Sequence, residues 1–261
     1  MIGFNNLGQM GRLGNQLFQC AGLLGIAEKR GFEYCIPNHF MYRDYGGYRY
    51  HELQSCFKMK DFENRYGYVD GDVVQLDQYH FCEELLEECP DNCTLVGYFE
   101  SEKYFKHIED KIRSNYEFLD FITERCYDYA EEYLKNNPVG VVVRRGDFLA
   151  DHNKNRHRLC GIEYYKDALE CFSDRLILIF SDDIEWCKSQ EIFINKNTIF
   201  VDTSLGIYKG HFDLCLLSMC SDFIIANSTF AWWGAWLSKN KDKKVIAPKK
   251  MVWSRIRTFS T

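Results

Sequence analysis

Pro138-Val139-Gly140-Val141-Val142-Val143-Arg144-Arg145-Gly146-Asp147 is the stretch on which the fold turns. An unbroken β-branched run, without polar alternation and ended by charge and glycine, reads as a strand buried on both faces. Such strands belong to parallel sheets covered by helices, and the chain downstream keeps that rhythm. Further strands are expected at 176–180, 198–201, 223–226 and 244–247, separated by helical patterns at 162–172, 183–191, 211–220 and 229–239. Strands alternating with helices imply a Rossmann-like half. Upstream, Gly11-Arg12-Leu13-Gly14-Asn15-Gln16 opens a helix with apolar positions at Leu17, Cys20, Ala21, Leu24 and Ala27, ended by Gly31 and followed by the strand Tyr34-Cys35-Ile36. The stretch 40–135 is less regular, with helices expected at 100–113 and 118–135. The expected organisation is two α/β domains, 1–136 and 137–248, with a tail, 249–261, that crosses back to the first.

The bulk numbers agree with a globular chain of that size. It has 261 residues, 46% hydrophobic and 27% charged, with a formal net charge of −6. That balance gives no basic footprint for nucleic acid, although a local cation cluster can still serve an anionic substrate. The opening Met1-Ile2-Gly3-Phe4-Asn5-Asn6 carries polar residues where a signal peptide has its apolar run, and no stretch is apolar for the length a bilayer needs. A cytoplasmic protein is expected, with peripheral membrane association left open. The twelve cysteines are then read as reduced thiols filling apolar positions. His80, Cys82, Cys89 and Cys93 hold potential zinc ligands but lack a close C-x2-C pair, so unpaired thiols are the plainer reading.

Three of the expected strands end in polar residues, and in an open α/β sheet ligands bind at the carboxyl ends of strands. These ends are Arg144-Arg145-Gly146-Asp147, Ser181-Asp182-Asp183 and Asn227-Ser228-Thr229. Guanidinium forks pair with phosphate oxygens, and a helix N-terminus offers N–H groups to another phosphate. Each end also has a plain role: Ser228-Thr229 can cap a helix, Asp182-Asp183 can start one, and two arginines can simply be solvated. Together they suit a nucleotide diphosphate, with Gly11 and Gly14 offering another close backbone approach.

The residues then resemble a known family. Gly11-Arg-Leu-Gly-Asn-Gln-Leu-Phe-Gln19 is similar to the opening motif of the bacterial-type α-1,2-fucosyltransferases, and Val143-Arg-Arg-Gly-Asp-Phe148 to their H-x-R-R-x-D block. Phe180-Ser-Asp-Asp-Ile-Glu-Trp-Cys-Lys188 and Ile224-Ile-Ala-Asn-Ser-Thr-Phe-Ala-Trp-Trp-Gly-Ala-Trp236 resemble two further blocks. Gly97-Tyr-Phe-Glu-Ser-Glu-Lys-Tyr-Phe105 and Glu163-Tyr-Tyr-Lys-Asp-Ala168 also match in order. The resemblance runs from about residue 10 to 240.

It implies a GT-B-like pair of Rossmann-like domains with mainly parallel sheets and the active site in the cleft between them, the first on the acceptor side and the second binding GDP-fucose. It further implies GDP-β-L-fucose as donor, inversion, transfer to the 2-hydroxyl of a galactose-containing acceptor, and no metal or other cofactor. By position, Arg144 then binds the β-phosphate and Arg145 braces the site, while Ser228, Thr229 and Phe230 hold phosphates and fucose. Asp213 reads the guanine edge, unless it is only a helix-start charge. Gly14, Asn15, Ser181, Asp182 and Asn227 complete the expected donor set.

Val142 departs from the family pattern, which has histidine there. The candidates for the catalytic base are Asp147, then His152, then Asp151, with His157 in the same polar loop. Trp232, Trp233 and Trp236 are expected to pack against the sheet. Tyr42, Tyr45, Tyr48 and Tyr50 are the better acceptor candidates, because binding groups gather on loops. The rivals are transfer with another linkage, transfer onto a peptide, and a catalytically silent GDP-sugar or glycan binder.

Overall fold

In the computed structural model, residues 1–38, 43–44, 47–48, 51–149, 159–194, 197–202 and 209–249 are described, with backbone alone at 43–44, 47–48 and 147–148. The chain divides into two units, Met1–Leu119 and Asp120–Thr261.

The first unit runs β1 (Ile2–Gly3), α1 (Leu13–Arg30), β2 (Tyr34–Cys35), β3 (Arg43–Asp44), β4 (Gly47–Tyr48), α2 (Leu53–Cys56), β5 (Asp72–Gln75), α3 (Glu83–Glu88), β6 (Cys93–Val96) and α4 (Glu109–Asn115). Its main sheet has the order β2-β1-β6-β5 with every pairing parallel, while β3 and β4 pair antiparallel. The α1 helix forms where the sequence indicated: nearly every residue from Leu13 to Ala27 is buried, and it ends on Gly31 in the left-handed conformation, φ 68°. A side chain on Gly25 would collide with the Tyr104 carbonyl, so the chain after β6 lies directly on α1. Tyr104 and Phe105 are fully buried there. The helix expected over 100–113 is therefore broken into two single 3-10 turns, Glu102–Tyr104 and Lys106–Ile108, before α4 begins.

The second unit runs α5 (Asp120–Leu134), β7 (Val139–Val143), α6 (Ile162–Glu170), β8 (Ile177–Ser181), α7 (Ile184–Ser189), β9 (Thr198–Phe200), α8 (Lys209–Ser218), β10 (Asp222–Ile224), α9 (Thr229–Leu237) and β11 (Val245–Ile246). Its sheet is parallel throughout, in the order β11-β10-β7-β8-β9. The seam expected at 136–137 lies inside this unit, because α5 packs with α8 and belongs to it. The Cys126 thiol donates to the Phe212 carbonyl, the Phe121 ring meets Phe212 edge-on, and the Asp202 N–H donates to the Tyr129 hydroxyl. Residues 250–261, most of the expected returning tail, lie outside the described residues. Among the described residues no helix is long and apolar enough to cross a membrane.

All five residues of β7 are buried, as the opening stretch demanded. Val139, Val141 and Val143 pack with Tyr165, Ala168 and Phe172 of the α6 region and with Cys187 and Phe193. Gly140 faces Leu217 of α8 on the opposite side, and the alternation of a strand puts Val142 on that side too.

Candidate functional site

Strand order fixes where a ligand can enter the second sheet. The chain fills β7, β8 and β9 in one direction, then returns to place β10 and β11 on the other side of β7. Read from β9, this is the 3-2-1-4-5 order of a doubly wound sheet. Its switch point lies between β7 and β10, and the crevice outside the carboxyl ends there is the favoured binding place. Arg144 and Arg145 follow β7 directly, and Asn227-Ser228 lies between β10 and α9. The sequence therefore puts its cations and its helix N-terminus at the two lips of the switch point.

The arginines are held by the end of the neighbouring strand. Arg144 Nη1 lies 2.5 Å from Asp182 Oδ2, and the Arg145 N–H donates to the other oxygen, Asp182 Oδ1, at 2.9 Å. Arg145 Nε donates to Asp183 Oδ2 at 3.0 Å, and its guanidinium carbon sits 3.7 Å from the Trp186 ring centroid. Asp183 is also the cap of α7: Oδ1 accepts from the Trp186 N–H at 3.3 Å, while its own N–H donates to Ser181 Oγ at 2.9 Å. Gly146 is required by this arrangement, since a Cβ there would run into the Asp182 carboxylate. Both guanidinium groups remain about one-fifth exposed, so they are braced without being sealed from a ligand.

The other expected donor residues fall in several places. Ser228 precedes α9 with extended dihedrals, φ −148° and ψ 129°, but its side chain makes no capping hydrogen bond. Ser228 and Phe230 are half-buried, and Thr229 and Asn227 are buried. Asp213 lies inside α8 rather than at its start, and its Oδ2 accepts from Lys209 Nζ at 2.6 Å. Gly14 and Asn15 sit in the first turn of α1, in the first unit. Trp232, Trp233 and Trp236 are fully buried, with ring centroids 4.9 to 6.2 Å apart, so they pack in the core as expected.

Val142 is buried and its carbonyl accepts from the Tyr165 hydroxyl at 3.3 Å. The backbone of Asp147 lies in the 3-10 turn Gly146–Leu149, and its side chain is outside the described residues. Asp151, His152, His157, Tyr42, Tyr45 and Tyr50 also lie outside them, as does the side chain of Tyr48.

Two residue pairs escaped the sequence reading as site builders. Tyr164 donates to the carbonyls of Ile225 and Ile246 at 2.7 and 3.0 Å, and Tyr165 to Val142, so α6 ties down the ends of β7, β10 and β11. Burial raises both phenols well above their ordinary range, which keeps them neutral donors. Trp186 with Asp183 is the other pair; the only sequence signal was an aromatic residue three positions after a capping aspartate.

Among the described residues, no three His, Cys, Asp or Glu side chains gather to hold a metal ion. Cys82, Cys89 and Cys93 are free thiols, with the last two sulfurs 3.9 Å apart.

A doubly wound sheet with braced arginines at its switch point, beside a second parallel α/β unit, defines a glycosyltransferase of GT-B type. Residues 2–254 match the family described as glycosyl transferase family 11. An α-1,2-colitosyltransferase of Escherichia coli is 31% identical, over 91% of this chain and 89% of that one. A galactoside 2-α-L-fucosyltransferase of Bos taurus, SEC1, is 25% identical over 87% of this chain, which spans 62% of that protein. In fold, the chain resembles POFUT1 solved in complex with GDP-fucose, with a TM-score of 0.55 at 13% identity, covering 98% of each chain. The chain belongs to glycosyl transferase family 11.

Proposed function

We propose that this chain is an inverting fucosyltransferase that moves L-fucose from GDP-β-L-fucose to the 2-hydroxyl of a terminal galactose on a glycan. The observation that carries the reading is the braced pair Arg144–Arg145 at the switch point. Fixed guanidinium forks in a half-buried crevice stabilise the diphosphate charge that develops as the donor bond breaks. The acceptor oxygen attacks the anomeric carbon from the face opposite GDP. The bond from that carbon to the β-phosphate oxygen breaks, its electron pair leaves with GDP, and the hydroxyl proton passes to a base. Asp147 is the first choice for that base and His152 the second.

Ser228, Thr229 and the N-terminus of α9 serve a phosphate face, because the Ser228 side chain leaves the helix N–H groups uncapped. The likeness to a fold that binds GDP-fucose supports the donor, and the galactoside relative supports the acceptor. We infer a metal-independent reaction from the pairing of Asp182 and Asp183, the carboxylates best placed for a divalent ion, with the arginines. A cytoplasmic working place belongs to the same proposal. A second reading follows from the 31% identical relative, which transfers colitose: the donor sugar may be changed while the diphosphate site is kept.

The test is GDP release from GDP-fucose and GDP-colitose, with and without galactosides and in excess EDTA, followed by linkage analysis of the product. Acceptor-dependent release from GDP-fucose that survives EDTA, giving an α-1,2 product, is expected. Preference for GDP-colitose would favour the second reading, binding without turnover would favour a silent protein, and rescue of an EDTA block by Mg²⁺ would make Asp182 and Asp183 metal ligands.

A further inference from the structure

The first sheet has a switch point of its own, and a buried acid stands beside it. Its order, β2-β1-β6-β5, reverses between β1 and β6, so the crevice lies outside the carboxyl ends of those two strands. The loops leaving them are joined by one side chain: Gln19 Nε2 donates to Met10 O at 3.1 Å and to Gly97 O at 3.0 Å. Beyond β6 the backbone twice takes a positive φ, at Gly97 (151°) and at Phe99 (54°). For an aromatic residue that conformation is strained, and such strain collects at binding sites. It is held here because Phe99 is buried against Gly22 of α1 and against the rings of Phe4 and Tyr104.

The strained turn carries Glu100 into the protein. Only 4% of the residue is exposed, and Oε2 has no hydrogen-bond partner. Gln19 Oε1 is likewise buried without one. Burial alone lifts the Glu100 carboxyl to about 8, with no charged group contributing. An unpaired buried acid costs stability and gives no structural return, which marks it as a group kept for a ligand. Two unsatisfied acceptors at one crevice call for donors such as hydroxyls. Beside them, Tyr98 and Tyr79, from the segments after β6 and β5, stack at 5.4 Å and 20°, each half-buried. An aromatic face next to hydroxyl acceptors is the chemistry that recognises a sugar ring.

We propose that the switch-point crevice of the first sheet is a sugar-binding subsite, in which Tyr98 supports the ring of the acceptor glycan and Glu100 holds one of its hydroxyls. Assigning the sugar to the acceptor rests on the proposed function. The test is saturation-transfer NMR with a galactoside and no donor, on wild type, Tyr98→Ala, Tyr98→Phe and Glu100→Gln. GDP-induced thermal stabilisation is read alongside as the check on folding. Expected are a loss of saturation transfer in Tyr98→Ala, its return in Tyr98→Phe, and about tenfold weaker binding in Glu100→Gln, the range of one lost polar contact. Wild-type galactoside binding in both Tyr98→Ala and Glu100→Gln would overturn the subsite. A wild type that binds galactosides through these residues yet releases no GDP from GDP-fucose would leave the subsite standing and remove the donor reading.

Discussion

The carboxyl edges of the two sheets are built from opposite materials. In the second unit the edge carries full charges held in pairs, Arg144 to Asp182 and Arg145 to Asp183, with an indole over one guanidinium. In the first unit it carries a buried acid that burial keeps neutral, together with stacked phenols. Both lie where a parallel sheet reverses its strand order. Topology therefore chooses the place for a ligand, and the side chains decide whether that ligand is an anion or a polyol.

Arg144→Ala gives the largest expected effect and tests the charged edge directly. Turnover should fall by about a thousand-fold or more with the fold intact, the scale of losing a charge-stabilising donor. Arg144→Lys should recover little, because an ammonium cannot reproduce the fork. Near wild-type kcat/KM in the alanine variant would break the assignment.

Next comes the base. Asp147→Asn should lower kcat by about a hundred-fold or more while GDP affinity holds, and His152→Ala must be measured beside it. A silent Asp147→Asn with a crippled His152→Ala would move the role to His152.

Gly146→Ala sharpens the comparison, since it adds one methyl group where the Asp182 carboxylate sits. Displacing that carboxylate misplaces Arg144, and a shift of about 1 Å can cost roughly a hundred-fold in rate. Melting temperature should change little, and kcat/KM should report the loss.

The smallest effect concerns the neutral edge and is one of stability. The Glu100 pKa is raised on folding from 4.5 to about 8. Between those values the unfolded chain has lost the proton that the folded chain keeps, so stability falls as pH rises through this window. The slope is on the order of 1 kcal/mol per pH unit. Glu100→Gln should remove it, so the variant's melting temperature gains on wild type from pH 5 to pH 8 and stays level above. Parallel melting curves across that range would show Glu100 already paired or ionised.

The strand at 139–143, the helices around it and the arginines at its end were legible because each rests on local pattern. A β-branched run, a helical period and a pair of cations are visible in a window of ten residues. The four-stranded first sheet was not legible in the same way. β1 and β2 have two residues each, too few for any period, and they exist because parallel neighbours pair with them. The helix expected over 100–113 failed for a related reason: burial of Tyr104 and Phe105 against Gly25 outweighed the local helical pattern.

By itself the sequence determined the alternation of strands and helices, the cations at Arg144 and Arg145, the plain role of the three tryptophans and the family. The tertiary structure alone decided that Asp182 and Asp183 brace those cations, that Asp213 meets Lys209 inside α8, and that α5 belongs with the second unit. It also decided that Glu100 is buried with an unsatisfied oxygen. The division has one physical cause. Periodicity and charge are carried by neighbours along the chain, whereas the partner of a carboxylate and the water around it are set by residues that only folding brings close.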